Sequence, residues 1–324
     1  MRTRFLFFIS IVLIAGCVDD APRDNPLDPD SPAYVRSGSV TGVIKIANQS
    51  TAIAGATITD LAENIFVKSD TLGYFVFNHL PSGTHTFVCT KENFTNDTFQ
   101  VEIRDRASTH VVRSLNGAPV VLSQNILTRK IDYVSFSPKY FVDIVAEVND
   151  PNSFLDLDSV WFSVVDTIFF PLKPVAGTNT FITTIYKNEL PTNTIQWLVK
   201  KQLHIVSRDR QFAVSISDPF FVSRIIENTS TPIFPSQNTL NTDSIYFRWS
   251  PPDITFNYTS TVTVYEAGTE NVVVSYSGVN SFYERYPTDG SFLHLEPSNY
   301  FWTISLVDDF GNYSRSKESY FTVK

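Results

Sequence analysis

Ser69-Asp70-Thr71-Leu72-Gly73-Tyr74-Phe75-Val76-Phe77-Asn78-His79-Leu80-Pro81-Ser82-Gly83-Thr84-His85-Thr86-Phe87 is the stretch on which the reading of the fold turns. Asp70 and Gly73 punctuate a tight turn, Phe75 and Phe77 fall on one face of the strand that follows, and Leu80-Pro81-Ser82-Gly83 turns the chain into another strand. Upstream, Val40, Gly42, Ile44 and Ile46 share one strand face while Thr41, Val43 and Lys45 share the other. A second strand begins after Ala54-Gly55-Ala56. Downstream, Cys89 lies in the strand-like run 86–90, where it is expected as a small buried hydrophobe.

This pattern of glycine, aromatic residues and Leu80-Pro81-Ser82-Gly83 resembles the carboxypeptidase-regulatory-like, transthyretin-like seven-stranded sandwich, over residues 38–114. The resemblance implies a fold and no reaction, because such accessory sandwiches accompany enzymes, adhesins and transport components alike. Nothing of the zinc-binding catalytic domain of the carboxypeptidases is present.

Further on, Asn116-Gly117-Ala118-Pro119-Val120 reads as a linker entering a new first strand. Val142, Ile144, Ala146 and Val148 then alternate against Phe141, Asp143, Val145 and Glu147, Asn149-Asp150-Pro151-Asn152 turns the chain, and a half-buried strand runs over 157–164. The arrangement is similar to the immunoglobulin-like modules of exported bacterial proteins, with Phe154 where those carry glycine. Residues 227–324 show the same periodicity, with Ile245, Phe247 and Trp249 on one strand, Val262 and Val264 on another, Trp302, Ile304 and Leu306 on a third, and Phe321 and Val323 closing the domain. Trp249-Ser250-Pro251-Pro252, the run Leu295-Glu296-Pro297-Ser298-Asn299-Tyr300 and the turn at 308–314 resemble the tryptophan strand, tyrosine corner and final hairpin of fibronectin type III modules. Asp209 followed by a return to Phe220-Phe221-Val222 parallels Asp309 followed by Tyr320-Phe321-Thr322-Val323, so residues 115–226 and 227–324 read as divergent copies of one plan.

The chain starts differently. Arg2 and Arg4 precede an apolar run over 5–15 of signal-peptide length, which ends in Leu13-Ile14-Ala15-Gly16-Cys17. That ending resembles the lipobox of bacterial lipoproteins, which implies cleavage after Gly16 and acylation of Cys17; two or three acyl chains anchor a protein stably without a spanning helix. Residues 17–37 carry Pro22, Pro26, Pro29 and Pro32 among acidic residues and read as an extended spacer like the linker of lipoproteins from didermal bacteria. Asp19 and Asp20 read either as a solvated acidic tether or as a surface-export signal, and Val18 is compatible with transfer to the outer membrane.

Composition bounds the rest. A chain of 324 residues suits two or three domains, and 43% hydrophobic with 18% charged residues is enough apolar sequence to build their cores. The net charge of −8, made more acidic by loss of Arg2 and Arg4, disfavours nucleic acid and electrostatic attraction to anionic lipid. With Cys17 lipidated, Cys89 has no partner for an intramolecular disulfide. The five histidines, at 79, 85, 110, 204 and 294, form no metal-ligand spacing with it.

Chemistry is expected only at loops. Asp150, Asp156 and Asp158 can offer oxygen ligands to calcium, although turn-forming aspartates are expected between strands in any case. Asp308 and Asp309 read as turn residues. No nucleophile elbow, His-Glu-x-x-His pair or phosphate-binding glycine loop occurs, so neither catalysis nor a cofactor is expected. The abundant aromatics read mainly as core, with Tyr283, Tyr286 and Phe292 the candidates for stacking on a sugar.

The sequence therefore predicts an all-β chain: a signal peptide (1–16), a lipidated cysteine and Pro/Asp-rich linker (17–37), and three tandem antiparallel β-sandwiches, transthyretin-like (38–114), immunoglobulin-like (115–226) and fibronectin type III-like (227–324). The expected role is a noncatalytic outer-membrane lipoprotein at the cell surface, held to the membrane by lipid and binding an envelope or extracellular protein. The alternative partner is a glycan.

Overall fold

The computed structural model describes residues 25, 26, 28, 30–280 and 284–324. The signal peptide and Cys17 lie outside the described residues. The described chain is built of β-strands, with helix confined to short 3-10 turns such as Phe154–Asp156 and Ile195–Leu198. It forms two compact units: the described part of Met1–Glu92 with Asn96–Leu115, and Asn93–Thr95 with Asn116–Lys324.

The first unit is a sandwich of a three-stranded and a four-stranded sheet. Ser37–Ile46 is central in the smaller sheet, antiparallel to Tyr74–Pro81 and parallel to Ser108–Leu115. Thr57–Asp60 and Gly83–Thr90 are central in the larger, flanked by Ile65–Lys68 and Asp97–Ile103. Strand alternation sets the core: Val40, Gly42 and Ile44 point inward from the first strand, facing Phe75, Phe77, Phe87 and Phe99. The Asp70 carboxylate accepts from the Leu72 and Tyr74 amides, both at 2.8 Å, closing the turn read from the sequence. Gly73, at φ +74°, is required there, because a Cβ would come within 2.4 Å of the Ile44 carbonyl oxygen. Cys89 is fully buried.

The second unit has two hydrophobic cores. One gathers Val142, Ile144, Phe162, Ile185, Leu198 and Ile205; the other gathers Phe247, Trp249, Val264, Trp302, Ile304 and Phe321. The tyrosine corner is formed, with the Tyr300 hydroxyl donating to the Glu296 carbonyl at 2.8 Å. Between the cores the boundary near residue 226 carries a shared element: Val120–Ile131 pairs in parallel with Tyr313–Arg315, in the register Arg129 to Tyr313 and Ile131 to Arg315. One sheet therefore runs from Lys173–Pro174 at one edge to Val272–Asn280 at the other, through strands of both sandwiches.

Buried polar contacts lock this seam. The Thr128 amide donates to Asn312 Oδ1 at 2.9 Å and the Thr128 hydroxyl to the Arg224 carbonyl at 2.8 Å. Lys130 Nζ donates to the Glu227 carbonyl at 2.5 Å and pairs with Asp132 at 3.3 Å, while Asp132 accepts from the Thr229 hydroxyl. Groups this deeply buried lose stabilisation when any one partner is removed, so the seam behaves as part of the fold.

Candidate functional site

Three carboxylates meet at one end of the sandwich 116–226. Lys139–Asn149 ends just before Asp150, Asp156 closes the 3-10 turn Phe154–Asp156, and Asp209 is the last residue of the strand Leu203–Asp209. One oxygen of each lies within 4.8 Å of the others. Asp150 is 3% exposed and Asp209 is fully buried, whereas Asp156 is half-buried and gives the group a wet side.

Each carboxylate is held by its own neighbours. Asp150 Oδ1 accepts from the Asn152 amide at 2.7 Å. Asp209 Oδ1 accepts from the amides of Gln211 and Ala213 at 2.9 and 2.8 Å, and its Oδ2 accepts from Asn116 Nδ2 at 2.6 Å. Asn116 in turn accepts from Asn152 Nδ2 at 2.6 Å, and Asn152 Oδ1 accepts from the Gly117 amide at 2.7 Å. Asp156 accepts from Gln211 Nε2 at 3.1 Å. The run of asparagine, glycine and aspartate at 116–117 and 150–152 is thus a small interlocked scaffold.

The electrostatics are unbalanced. Among the described residues, no arginine, lysine or histidine forms an ion pair with any of the three carboxylates. Two unit charges at 4.8 Å repel by roughly 3 kcal/mol at an effective dielectric near 20. Burial raises the Asp150 carboxyl above its ordinary value; the charges of Asp156 and Asp209 add to the rise, while the Asn152 and Ser153 amides oppose it.

Of the aspartates singled out in the sequence, the structure brings Asp150 and Asp156 together and leaves Asp158 out. Asp158 is exposed on the strand Leu157–Val164 and takes the Arg208 guanidinium of the neighbouring strand at 2.5 Å, which with Ser159 holds its carboxyl below the usual range. Asp209 stands in its place. Sequence reasoning met Asp209 only as a hairpin residue, and its position beside Asp150 depends on the antiparallel pairing of Leu157–Val164 with Leu203–Asp209.

The sugar-stacking candidates separate as well. Tyr283 lies outside the described residues. Tyr286 packs on the C-terminal core with its ring 4.7 Å from that of Tyr276. Phe292 is 51% exposed and stands edge-on to Tyr246, with the Arg285 guanidinium over both rings at 5.3 and 4.6 Å. A different aromatic surface, not read from the sequence, lies on the shared sheet. Tyr265, Phe301 and Tyr320 are cross-strand neighbours with ring centroids 4.7 and 5.5 Å apart, and with Tyr133, Arg315 and Glu318 they line a cleft of about 260 Å³.

No protein-family model and no curated protein matches the chain. Solved structures give distant likenesses only. A DUF3823 family protein from Bacteroides ovatus is 10% identical, over 57% of this chain and 97% of that one, with a TM-score of 0.26. The pilin subunit BcpA of Bacillus cereus is 10% identical over 86% and 91%, TM-score 0.29, and the fibronectin(III)-like modules of Clostridium thermocellum CbhA are 15% identical over 64% and 94%, TM-score 0.31. At such scores the fold class rests on this chain's own strands.

Proposed function

We propose that the chain is a noncatalytic cell-envelope lipoprotein, tethered through Cys17 to the outer membrane and exposed at the cell surface, whose sandwiches space and present a protein-binding surface. The observation that best supports this reading is the sheet continuous through both C-terminal sandwiches, because two cores joined by backbone pairing and a buried polar seam hold loops and faces in fixed relation. The transthyretin-like reading of residues 38–114 belongs to the same proposal: it makes the first unit a further accessory sandwich. The lipobox-like Leu13-Ile14-Ala15-Gly16-Cys17 supplies the anchor.

Protease shaving of intact cells tests the exposure. Loss of the protein under shaving, with retention of an inner lipoprotein control, is the expected result; survival until the outer membrane is permeabilised contradicts it. Capture of one envelope protein from detergent extract by the wild-type protein tests the binding role.

Glycan capture is the second reading, favoured by the cleft of Tyr265, Phe301 and Tyr320, where the exposed Tyr320 ring stands beside Arg315 and Glu318. A glycan array decides it: binding lost in Tyr320→Ala supports this reading, and an empty array leaves protein binding alone.

A further inference from the structure

We infer that Asp150, Asp156 and Asp209 form a calcium site at the end of the sandwich 116–226. The proximity of three acids would not carry this by itself. What carries it is that Asp150 Oδ2 is buried with no hydrogen-bond partner among the described residues, on a side chain 3% exposed, in a carboxylate whose other oxygen is already held by the Asn152 amide. A buried carboxylate oxygen without a donor forfeits its hydration and receives nothing in return.

The second sandwich of the same unit shows how the counterpart of the Asp209 hairpin is balanced. Asp308 accepts from the amides of Phe310 and Asn312 at 2.9 Å each, as Asp209 does from Gln211 and Ala213, and there a cation is built in: Arg224 donates to Asp308 Oδ2 at 3.2 Å. Among the described residues the Asp209 hairpin has no such arginine: its Oδ2 accepts from the neutral Asn116 side-chain amide at 2.6 Å, and two further carboxylates stand beside it. A cation supplied from solution is the counterpart of Arg224.

The donor set selects the cation. The group is all oxygen, with neither histidine nor cysteine in it, which suits a hard ion and disfavours zinc and copper. Oxygens bound to one calcium at 2.3–2.6 Å lie at most about 5 Å apart, a separation the three carboxylates already meet. Magnesium demands a tighter octahedron and retains its water, while calcium accepts carboxylates in an irregular shell completed by solvent on the open side of Asp156.

The test is thermal unfolding of the purified full chain, stripped with chelator and titrated with calcium chloride. The wild-type protein is expected to melt roughly 5–10 °C higher once calcium exceeds its dissociation constant a hundredfold, and to retain one calcium on equilibrium dialysis. Magnesium at equal concentration is expected to give less than half the shift. Asp150→Asn and Asp156→Asn are expected to abolish the response. In chelator Asp150→Asn should melt at or above the wild type, because it removes an uncompensated charge. Asp158→Asn should retain the full response. Asp156, half-buried and making one side-chain hydrogen bond to Gln211, gives a variant that folds even if Asp150→Asn does not. No calcium shift in the wild type at about 10 mM, a concentration well above the dissociation constants of extracellular calcium modules, would overturn the inference. So would a shift that survives in Asp156→Asn or one that is lost in Asp158→Asn.

Discussion

Asp209 and Asp308 hold their hairpins in the same way. Each amide donates to the carbonyl four residues on, each carbonyl accepts from the amide three residues on, and each Oδ1 accepts from the amides two and four residues on. The likeness extends along the strands. Ser217 Oγ accepts from the Ile205 amide at 2.9 Å as Ser316 Oγ accepts from the Ile304 amide at 3.0 Å, and Ile205, Asp209 and Ser217 keep the spacing of Ile304, Asp308 and Ser316. The two sandwiches share this hairpin geometry, with Asp308 rather than its neighbour Asp309 as the counterpart of Asp209.

Removal of Asp308 tests the hairpin directly. Asp308→Ala deletes two hydrogen bonds to backbone amides and leaves Arg224 without its carboxylate, so urea unfolding should show a loss of about 2–4 kcal/mol. Asp309→Ala, at the exposed neighbouring position, should stay within about 0.5 kcal/mol of wild type. Equal effects would show that the repeat has been aligned wrongly.

A pH dependence follows from the raised Asp150 carboxyl. In the metal-free protein the folded state binds this proton more tightly than the unfolded chain does, so this group adds stability as pH falls from neutral through the raised value towards the ordinary 3.8, and subtracts it as pH rises. Asp150→Asn lacks the titration. Melting curves in chelator should therefore show the variant's advantage over wild type shrinking between pH 7 and about pH 4. An advantage independent of pH would place the Asp150 titration elsewhere.

Cys89 should be inert in the folded protein. Burial, with the Asp97 charge adding to it and Arg113 opposing, pushes its thiol up to about 11, and the side chain is fully buried. Reaction with a thiol reagent at pH 8 should proceed only at the rate of unfolding and become fast in denaturant; rapid labelling of native protein would contradict the packing described.

The seam predicts joint unfolding. Lys130→Ala removes a buried ammonium from Asp132 and from the Glu227 carbonyl, and should cost about 3 kcal/mol. Calorimetry should show the cores around Phe162 and Trp302 melting together in wild type, and separate melting of these two cores, beyond any transition of the first unit, would mean that the pairing of Arg129 with Tyr313 does not couple them.

Much of the architecture was legible because it is local. The alternation of Val142, Ile144, Ala146 and Val148, all fully buried, and the turn at Asp70 and Gly73 are written within a few residues each. The membership of the acidic group was half legible. Asp150 and Asp156 are near in sequence, but Asp209 joins them only across a paired strand, and Asp158 is drawn away because its strand carries it to Arg208. The parallel pairing of Val120–Ile131 with Tyr313–Arg315 joins segments far apart in the chain, and no periodicity announces which edges will meet. The ladder of Tyr265, Phe301 and Tyr320 was hidden for the same reason, since alternation gives the face of each residue and not its neighbour across strands.

The claim on which the functional account depends is the tether. Mass spectrometry of the amino-terminal peptide from membrane-extracted protein measures it most directly. The account predicts a chain beginning at Cys17 with a mass increment of a diacylglyceryl group, and a Cys17→Ser protein that leaves the membrane fraction. An amino-terminal peptide with residue 17 unmodified, in protein that still sediments with membranes, would contradict it.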